Sequence, residues 1–203
     1  MRLTRRTLVT AVIAIAALVV PATAEVVYTQ VNVSIPVGGY YAIDLNHDGV
    51  ADFSLRSPIL QGLCQSGDQD SWNLTINPGS GNSAAVMAGQ PSSGLTAALP
   101  NNVAVNASEA YSTATSVMAE LQWGYCGTYA LGQWLGLPIG YMGLQFRAPD
   151  GTVHYGWAKV STAAYVDRYG VVHSMTIVWA YAYETVAGQA ILTGQTTDDS
   201  GSH

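Results

Sequence analysis

The chain has 203 residues, a formal net charge of −6, 49% hydrophobic residues and only 10% charged ones. Seven Lys and Arg in all cannot neutralise many phosphates, which argues against nucleic acid as a partner and against adhesion to an anionic membrane. The length suits one domain with a real core.

The first elements in the chain form an export leader. Arg2, Arg5 and Arg6 precede an almost wholly apolar run of 13 residues, Leu8 to Val20. Pro21 ends the run, and Ala22-Thr23-Ala24 is an A-x-A cleavage site before Glu25. This is the pattern of a secretory signal peptide over residues 1–24. The run falls short of the roughly 20 residues a spanning helix needs, so no membrane span is expected in the mature chain. The Arg5-Arg6 pair also fits a twin-arginine signal, but leaders are arginine-rich anyway and the ordinary Sec reading is preferred. Either route delivers the protein to the periplasm, the cell surface or the medium. Cleavage removes three of the seven basic residues and none of the thirteen acids. The mature domain is therefore more acidic still, which suits divalent cations.

From Glu25 onward the chain is rich in Val, Thr, Tyr, Trp and Gly, a strand-forming composition. In "VVYTQVNVSI", Val27, Thr29, Val31, Val33 and Ile35 alternate with Tyr28, Gln30, Asn32 and Ser34. "GGYYAIDL" and "DFSLRS" read as two strands joined by a loop, and "SWNLTIN" alternates again through Trp72, Leu74 and Ile76. Residues 77–102 are full of Gly, Ser, Pro and Asn and read mostly as loop, with one weak strand at most. Over 107–122, Tyr111, Ala114, Met118 and Leu121 recur at helical spacing, so one short helix is expected there. "IGYMGLQFRA", the turn Pro149-Asp150-Gly151 and "TVHYGWAKVS" form a hairpin. "HSMTIVWAYAYETV" puts Met175, Ile177, Trp179, Tyr181 and Tyr183 on one face and small residues on the other. The expected architecture is a single antiparallel β-sandwich, jelly-roll-like, over 25–197, with a disordered tail over 198–203.

Cys64 and Cys126 are the only cysteines. In an oxidising compartment they are expected to pair, closing a loop of roughly 60 residues worth about 4 kcal/mol in the chain-entropy model.

The most specific motif lies between the second and third strands. Counting Asp44 as position 1, side-chain oxygens fall at Asp44, Asn46 and Asp48, with Gly49 at position 6 and Asp52 at position 9. This matches the first three quarters of an EF-hand-type calcium loop. Calcium takes six to eight hard oxygens, and side chains two apart in a curled loop converge on one point. Gly49 permits the turn, the Val50 carbonyl takes the seventh position, and Asp52 binds directly or through water. Position 12 is Leu55 rather than a bidentate Glu, so binding is weakened or another acid completes the shell. Asp68 and Asp70 in "SGDQDS" are candidates, with a solvated polar turn as the plainer alternative.

Catalytic signatures are absent: no H-E-x-x-H, no G-x-S-x-G and no phosphate-cradling G-x-x-x-x-G-K-[ST] occurs. Asp150, Asp167 and Glu184 have no spacing that pairs them for glycoside hydrolysis, and Lys159 with Glu184 reads as a cross-strand ion pair. Trp157, Trp179, Tyr181 and Tyr183 offer an aromatic platform for sugar rings, weighed against a core face, which is how bulky residues alternating with small ones usually read.

The segments "DLNHDGVADF", "GYMGLQF", "DGTVHYGWAKVS" and "AYAYETVAGQAILTGQT", in this order, resemble a group of small exported bacterial proteins of unknown function, many of which carry a PEP-CTERM sorting tail. The residues after Thr197 include no Pro-Glu-Pro, apolar helix or basic stop, so anchoring through such a tail is not expected. The resemblance implies a secreted or surface protein and brings no activity with it. The combined expectation is a calcium-stabilised, non-catalytic extracellular β-domain with a structural or interaction role towards polysaccharide or a matrix protein. A carbohydrate-binding module and a secreted hydrolase are the alternatives. Oligomeric state is open.

Overall fold

The computed structural model describes residues 24–88 and 94–197. The expected leader, apart from Ala24, and the expected tail over 198–203 lie outside the described residues. The described chain is all β, with no helix among the described residues. None of it is therefore long and helical enough to cross a membrane.

The strands are β1 (Val26–Ile35), β2 (Tyr40–Ile43), β3 (Phe53–Arg56), β4 (Ile59–Cys64), β5 (Gly67–Pro78), β6 (Ser83–Ala85), β7 (Ala104–Val105), β8 (Tyr111–Ser112), β9 (Ser116–Gly124), β10 (Tyr129–Leu131), β11 (Gly140–Arg147), β12 (Val153–Val166), β13 (Val172–Glu184) and β14 (Ile191–Leu192). One sheet has the order β1-β13-β12-β11-β6-β8, the other β10-β9-β5-β3-β2, with β4 pairing the first half of β5. These sheets pack face to face as a β-sandwich, as the alternating sequence suggested. The hairpins expected from residues 38–57 and 139–161 are present as β2–β3 and β11–β12, the latter running on to Val166.

Two apolar clusters hold the layers. The inner one lies between the sheets and includes Ile35, Leu55, Trp72, Ile76, Met118, Leu144 and Val178. The outer one lies on the far face of the first sheet, where Tyr141, Tyr155 and Trp157 pack against Val26, Val105 and Ile191. Burying each such aliphatic side chain is worth about 1.5–3 kcal/mol. The buried indoles all find acceptors: Trp72 donates to Ser57 Oγ at 2.8 Å, Trp134 to the Thr96 carbonyl at 3.2 Å, and Trp157 to the Gln195 carbonyl at 3.2 Å.

The outer layer is a strap of irregular chain closed by the short β7–β14 pair. Thr193, 1% exposed, clamps it. Its hydroxyl donates to the Pro100 carbonyl and accepts the Val103 N–H, while its own backbone bonds Val103 and Asn102.

Residues 107–122 correct the expected helix: they carry β8 and most of β9. The reason is a bulge. Leu74 pairs Ala119 but Thr75 pairs Val117, leaving Met118 as an extra residue. Ser116, Met118, Ala119 and Leu121 are all buried. A strand alternation interrupted by one residue thus puts Met118 and Leu121 three apart on the buried side, which imitates a helix face.

A second bulge splits the aromatic stripe of β13. Lys159 pairs Ala180 and Val160 pairs Val178, so Trp179 is skipped. Val178 and Tyr181 face the inner cluster, whereas Ala180 and Ala182 face the outer one. The even alternation read from Met175 to Tyr183 therefore changes face midway.

Candidate functional site

The Asp44–Asp52 loop is local in origin. β2 and β3 pair up to Ile43↔Phe53, and the Asp52 N–H bonds the Ile43 carbonyl at 2.8 Å, closing the loop base. His47 (φ 58°) and Gly49 (φ 87°) take left-handed conformations that curl the chain. Asp44 gathers the curl, with one carboxylate oxygen accepting the Asp48 N–H at 3.2 Å and the other the Gly49 N–H at 2.8 Å. Asn46 Oδ1 also accepts the Asp48 N–H, and Asp48 accepts the Val50 N–H at 2.8 Å and the Asn46 amide at 2.9 Å. The loop is tethered to β1 by a 3.1 Å contact between His47 Nε2 and Thr29 Oγ1.

Asp52 sits underneath, 7% exposed. Its carboxylate accepts the Leu45 N–H at 2.8 Å and the Asn82 amide at 3.3 Å. Burial pushes its pKa up; the Leu45 and Asn82 hydrogen bonds oppose this, and the negative charges of Asp44 and Asp48 add to it. The loop thus concentrates carboxylates that repel one another around a partly desolvated member. Next to it, Tyr181 is pushed up to about 12 by burial and by Tyr41.

The donor set fits a hard cation: Asp44, Asn46, Asp48, the Val50 carbonyl and Asp52 supply only oxygen. As positioned, no three acidic, imidazole or thiolate groups among the described residues converge closely enough to hold an ion. Asp52 in particular is turned to Leu45 and Asn82. Leu55, at the twelfth position, is fully buried in the inner core and cannot be replaced there by a ligand without breaking that core. Asp68 and Asp70 do not complete the shell. Asp52 adjoins Phe53, which pairs with Pro78 at one end of β5, and Asp70 lies eight residues away along that strand, roughly 26 Å at about 3.3 Å per residue. The polar-turn alternative does not describe them either, since both lie in strand β5. Ser80 and Asn82 are the oxygen-bearing side chains beside Asp48 and Asp52 in the cavity they share, which Arg147 also lines.

The Cys64–Cys126 bridge forms, with Cα atoms 6.3 Å apart. It joins the end of β4 to the residues just after β9, across the start of β5. Gln69 braces it, accepting the Cys126 N–H at 3.1 Å and donating to the Gly127 carbonyl at 3.1 Å.

The four aromatics considered for a platform do not share a surface. Trp157 is 1% exposed in the outer cluster and Tyr181 5% exposed in the inner one. Tyr183 packs on the inner cluster, and Trp179 donates to Ser161 Oγ at 2.9 Å beside a separate groove. Lys159 and Glu184 do not pair: Lys159 lies over the Tyr141 ring, and Glu184 accepts backbone N–H groups.

A different aromatic surface emerges where β4, β5 and β9 run side by side. Register aligns Gln61 with Asp70 and Leu63 with Asp68 on one flank, and Trp123 with Asp70 on the other. Tyr125 follows, its N–H on the Asp68 carbonyl at 3.0 Å. Two open depressions flank the acids, one of about 370 Å³ towards Gln61 and Leu63, the other of about 310 Å³ towards Trp123 and Tyr125. Leu63 is 82% and Tyr125 75% exposed. Neither Asp68 nor Asp70 has a side-chain hydrogen bond or ion pair among the described residues. Sequence reasoning missed this shelf because five of its residues come from three strands and Tyr125 from the turn after β9; the paired "DQD" and "QWGY" spacing was its only trace. No family model matches the chain, no curated protein matches it, and no solved structure matches it.

Proposed function

We propose that the protein is an exported, non-catalytic interaction domain, a β-sandwich secured by calcium at one end and by its disulfide at the other. The observation that carries this reading is the Asp44–Asp52 loop. Its backbone is already curled by Asp44 around left-handed His47 and Gly49, and the buried Asp52 adds charge that a cation relieves. Asp44, Asn46, Asp48, the Val50 carbonyl and Asp52 would hold the ion, with water filling the twelfth position. The disulfide and the leader-like start support export. The test is the melting temperature of residues 25–203, stripped of metal and then titrated with calcium. Free calcium at 100 times its dissociation constant is expected to add about 2.7 kcal/mol; an unchanged melting temperature up to millimolar calcium would sink the reading.

A second reading, sugar binding, is favoured by the shelf rather than by the four aromatics first considered. Tyr125, largely exposed, offers a ring face to the apolar side of a sugar beside Trp123, which also packs on the inner cluster, and Asp68 and Asp70 accept its hydroxyls. Retention on a glycan array, lost in Tyr125→Ala with the fold intact, is the expected outcome; no retention of any glycan rejects it.

A further inference from the structure

Glu184 ends β13 as a buried residue, 2% exposed, and no side-chain cation among the described residues pairs with it: the one ion pair there is His173–Asp167. A buried carboxylate without a counter-charge is costly. Its Oε1 accepts the Val186 N–H at 2.9 Å and is approached by the backbone nitrogen of Glu25 at 3.3 Å. That same nitrogen stands 3.1 Å from Thr185 Oγ1. In an intact chain it is an amide with one proton for two acceptors. Glu25 is also the residue that follows the A-x-A site. Its position is fixed from the other side too, because the Thr185 N–H donates to the Glu25 carbonyl at 2.9 Å and Val26 pairs with Glu184.

We propose that the Glu184 carboxylate and the Thr185 hydroxyl form a receptor for the α-ammonium group created when the leader is cleaved at Ala24–Glu25. The inference rests on the export reading. A leader peptidase breaks the Ala24–Glu25 C–N bond with one water: hydroxyl goes to the Ala24 carbonyl carbon and a proton to the Glu25 nitrogen. Uptake of a further proton from solvent gives an ammonium with three donors, enough for both acceptors and one solvent contact. Processing thereby supplies the missing counter-charge, and the mature chain is tied to the end of β13, beside the outer cluster that contains Val26.

The experiment begins with the full-length chain expressed with its own leader in an exporting bacterium, and with intact-mass analysis of the exported product. A first residue of Glu25 is expected. Export with a different first residue overturns the proposal while leaving the export reading standing; failure to export overturns both. The exported protein is then acetylated near neutral pH. Lys159 is the chain's single lysine, so peptide mapping by mass tells an acetyl group on the α-amine from one on that side chain, and only protein labelled at the α-amine is melted. Acetylation is expected to lower the melting temperature by roughly 5 °C and to have little effect in Glu184→Gln. An equal effect in both proteins rejects the receptor. If Glu184→Gln does not fold, a chain retaining Ala24 serves instead, because it moves the charge one residue away: a melting temperature equal to that of the Glu25-first protein rejects the proposal, and a lower one supports it.

Discussion

Strand β5 has aspartates near both ends, and they behave in opposite ways. At the Pro78 end it meets the loop in which Asp44, Asp48 and Asp52 are wrapped in backbone N–H groups and Asp52 is buried. At the Gly67 end, Asp68 and Asp70 line open depressions with no side-chain partner among the described residues. The difference comes from the backbone. A curled loop turns its N–H groups inward, towards its own carboxylates. A paired strand spends its N–H groups on neighbouring strands and leaves side-chain acids to solvent or to a ligand. The first end is built to bind something small and hard, whereas the second offers surface.

The largest way to break the contrast is at the shelf end. Replacing Cys64 and Cys126 by Ser is expected to cost about 4 kcal/mol, a fall of roughly 10 °C in the melting temperature, with β-sheet circular dichroism retained below the transition. A melting curve superimposable on that of the wild type would show that the staple does not secure this end.

Next in size is Asp48→Ala at the loop end. It is expected to remove most of the calcium increment of about 2.7 kcal/mol while leaving the metal-free protein little changed. Calcium titrations of both proteins by calorimetry decide it: an equal increment in the variant means that the ion binds elsewhere.

A smaller effect separates the ends by pH. Burial raises the pKa of Asp52, so the folded chain holds its proton more tightly than the unfolded one does. The stability this contributes is complete below the unfolded value, near 3.9, and is lost as pH rises through the folded value. Metal-free wild type is therefore expected to weaken over that window relative to Asp52→Asn, and calcium to restore it at neutral pH. Urea midpoints at pH 4 and pH 7 test this; parallel shifts in the two proteins would remove Asp52 from the account.

The smallest effect is expected at the shelf. Asp68→Asn at an exposed position and Asp70→Asn at a half-buried one should each change stability by less than about 0.5 kcal/mol, as surface substitutions outside hydrogen-bond networks do. A larger loss in thermal melts would mean that these acids are structural and that the shelf is not a free surface.

What was legible in the sequence follows the range of the interactions. The Asp44–Asp52 loop could be read because its ligand spacing, its Gly and its flanking strands are contiguous. The hairpin over 139–161 could be read from alternation plus Pro149-Asp150-Gly151. Bulges could not, since an extra residue such as Met118 or Trp179 exists only relative to a partner strand. Both misreadings, the helix over 107–122 and the single aromatic face of β13, trace to them. Strand β4 was missed because "ILQGLC" is exposed at nearly every position and has no inward face to alternate. The shelf depends on the register of that strand, so it vanished with it.

Thr193 carries one more consequence. The Thr193 hydroxyl and backbone, the Leu99–Tyr141 pair and the Trp157–Gln195 bond fasten the strap over Tyr141, Tyr155 and Trp157, whereas the two sheets beneath are secured by long ladders and a covalent bridge. The strap is therefore the natural unit of partial opening. Hydrogen exchange should reach residues 99–105 before it reaches β5 or β9. A protease that trims the chain back past Leu192 should peel this layer away and wet the indole of Trp157, reddening its fluorescence while the sandwich stays folded.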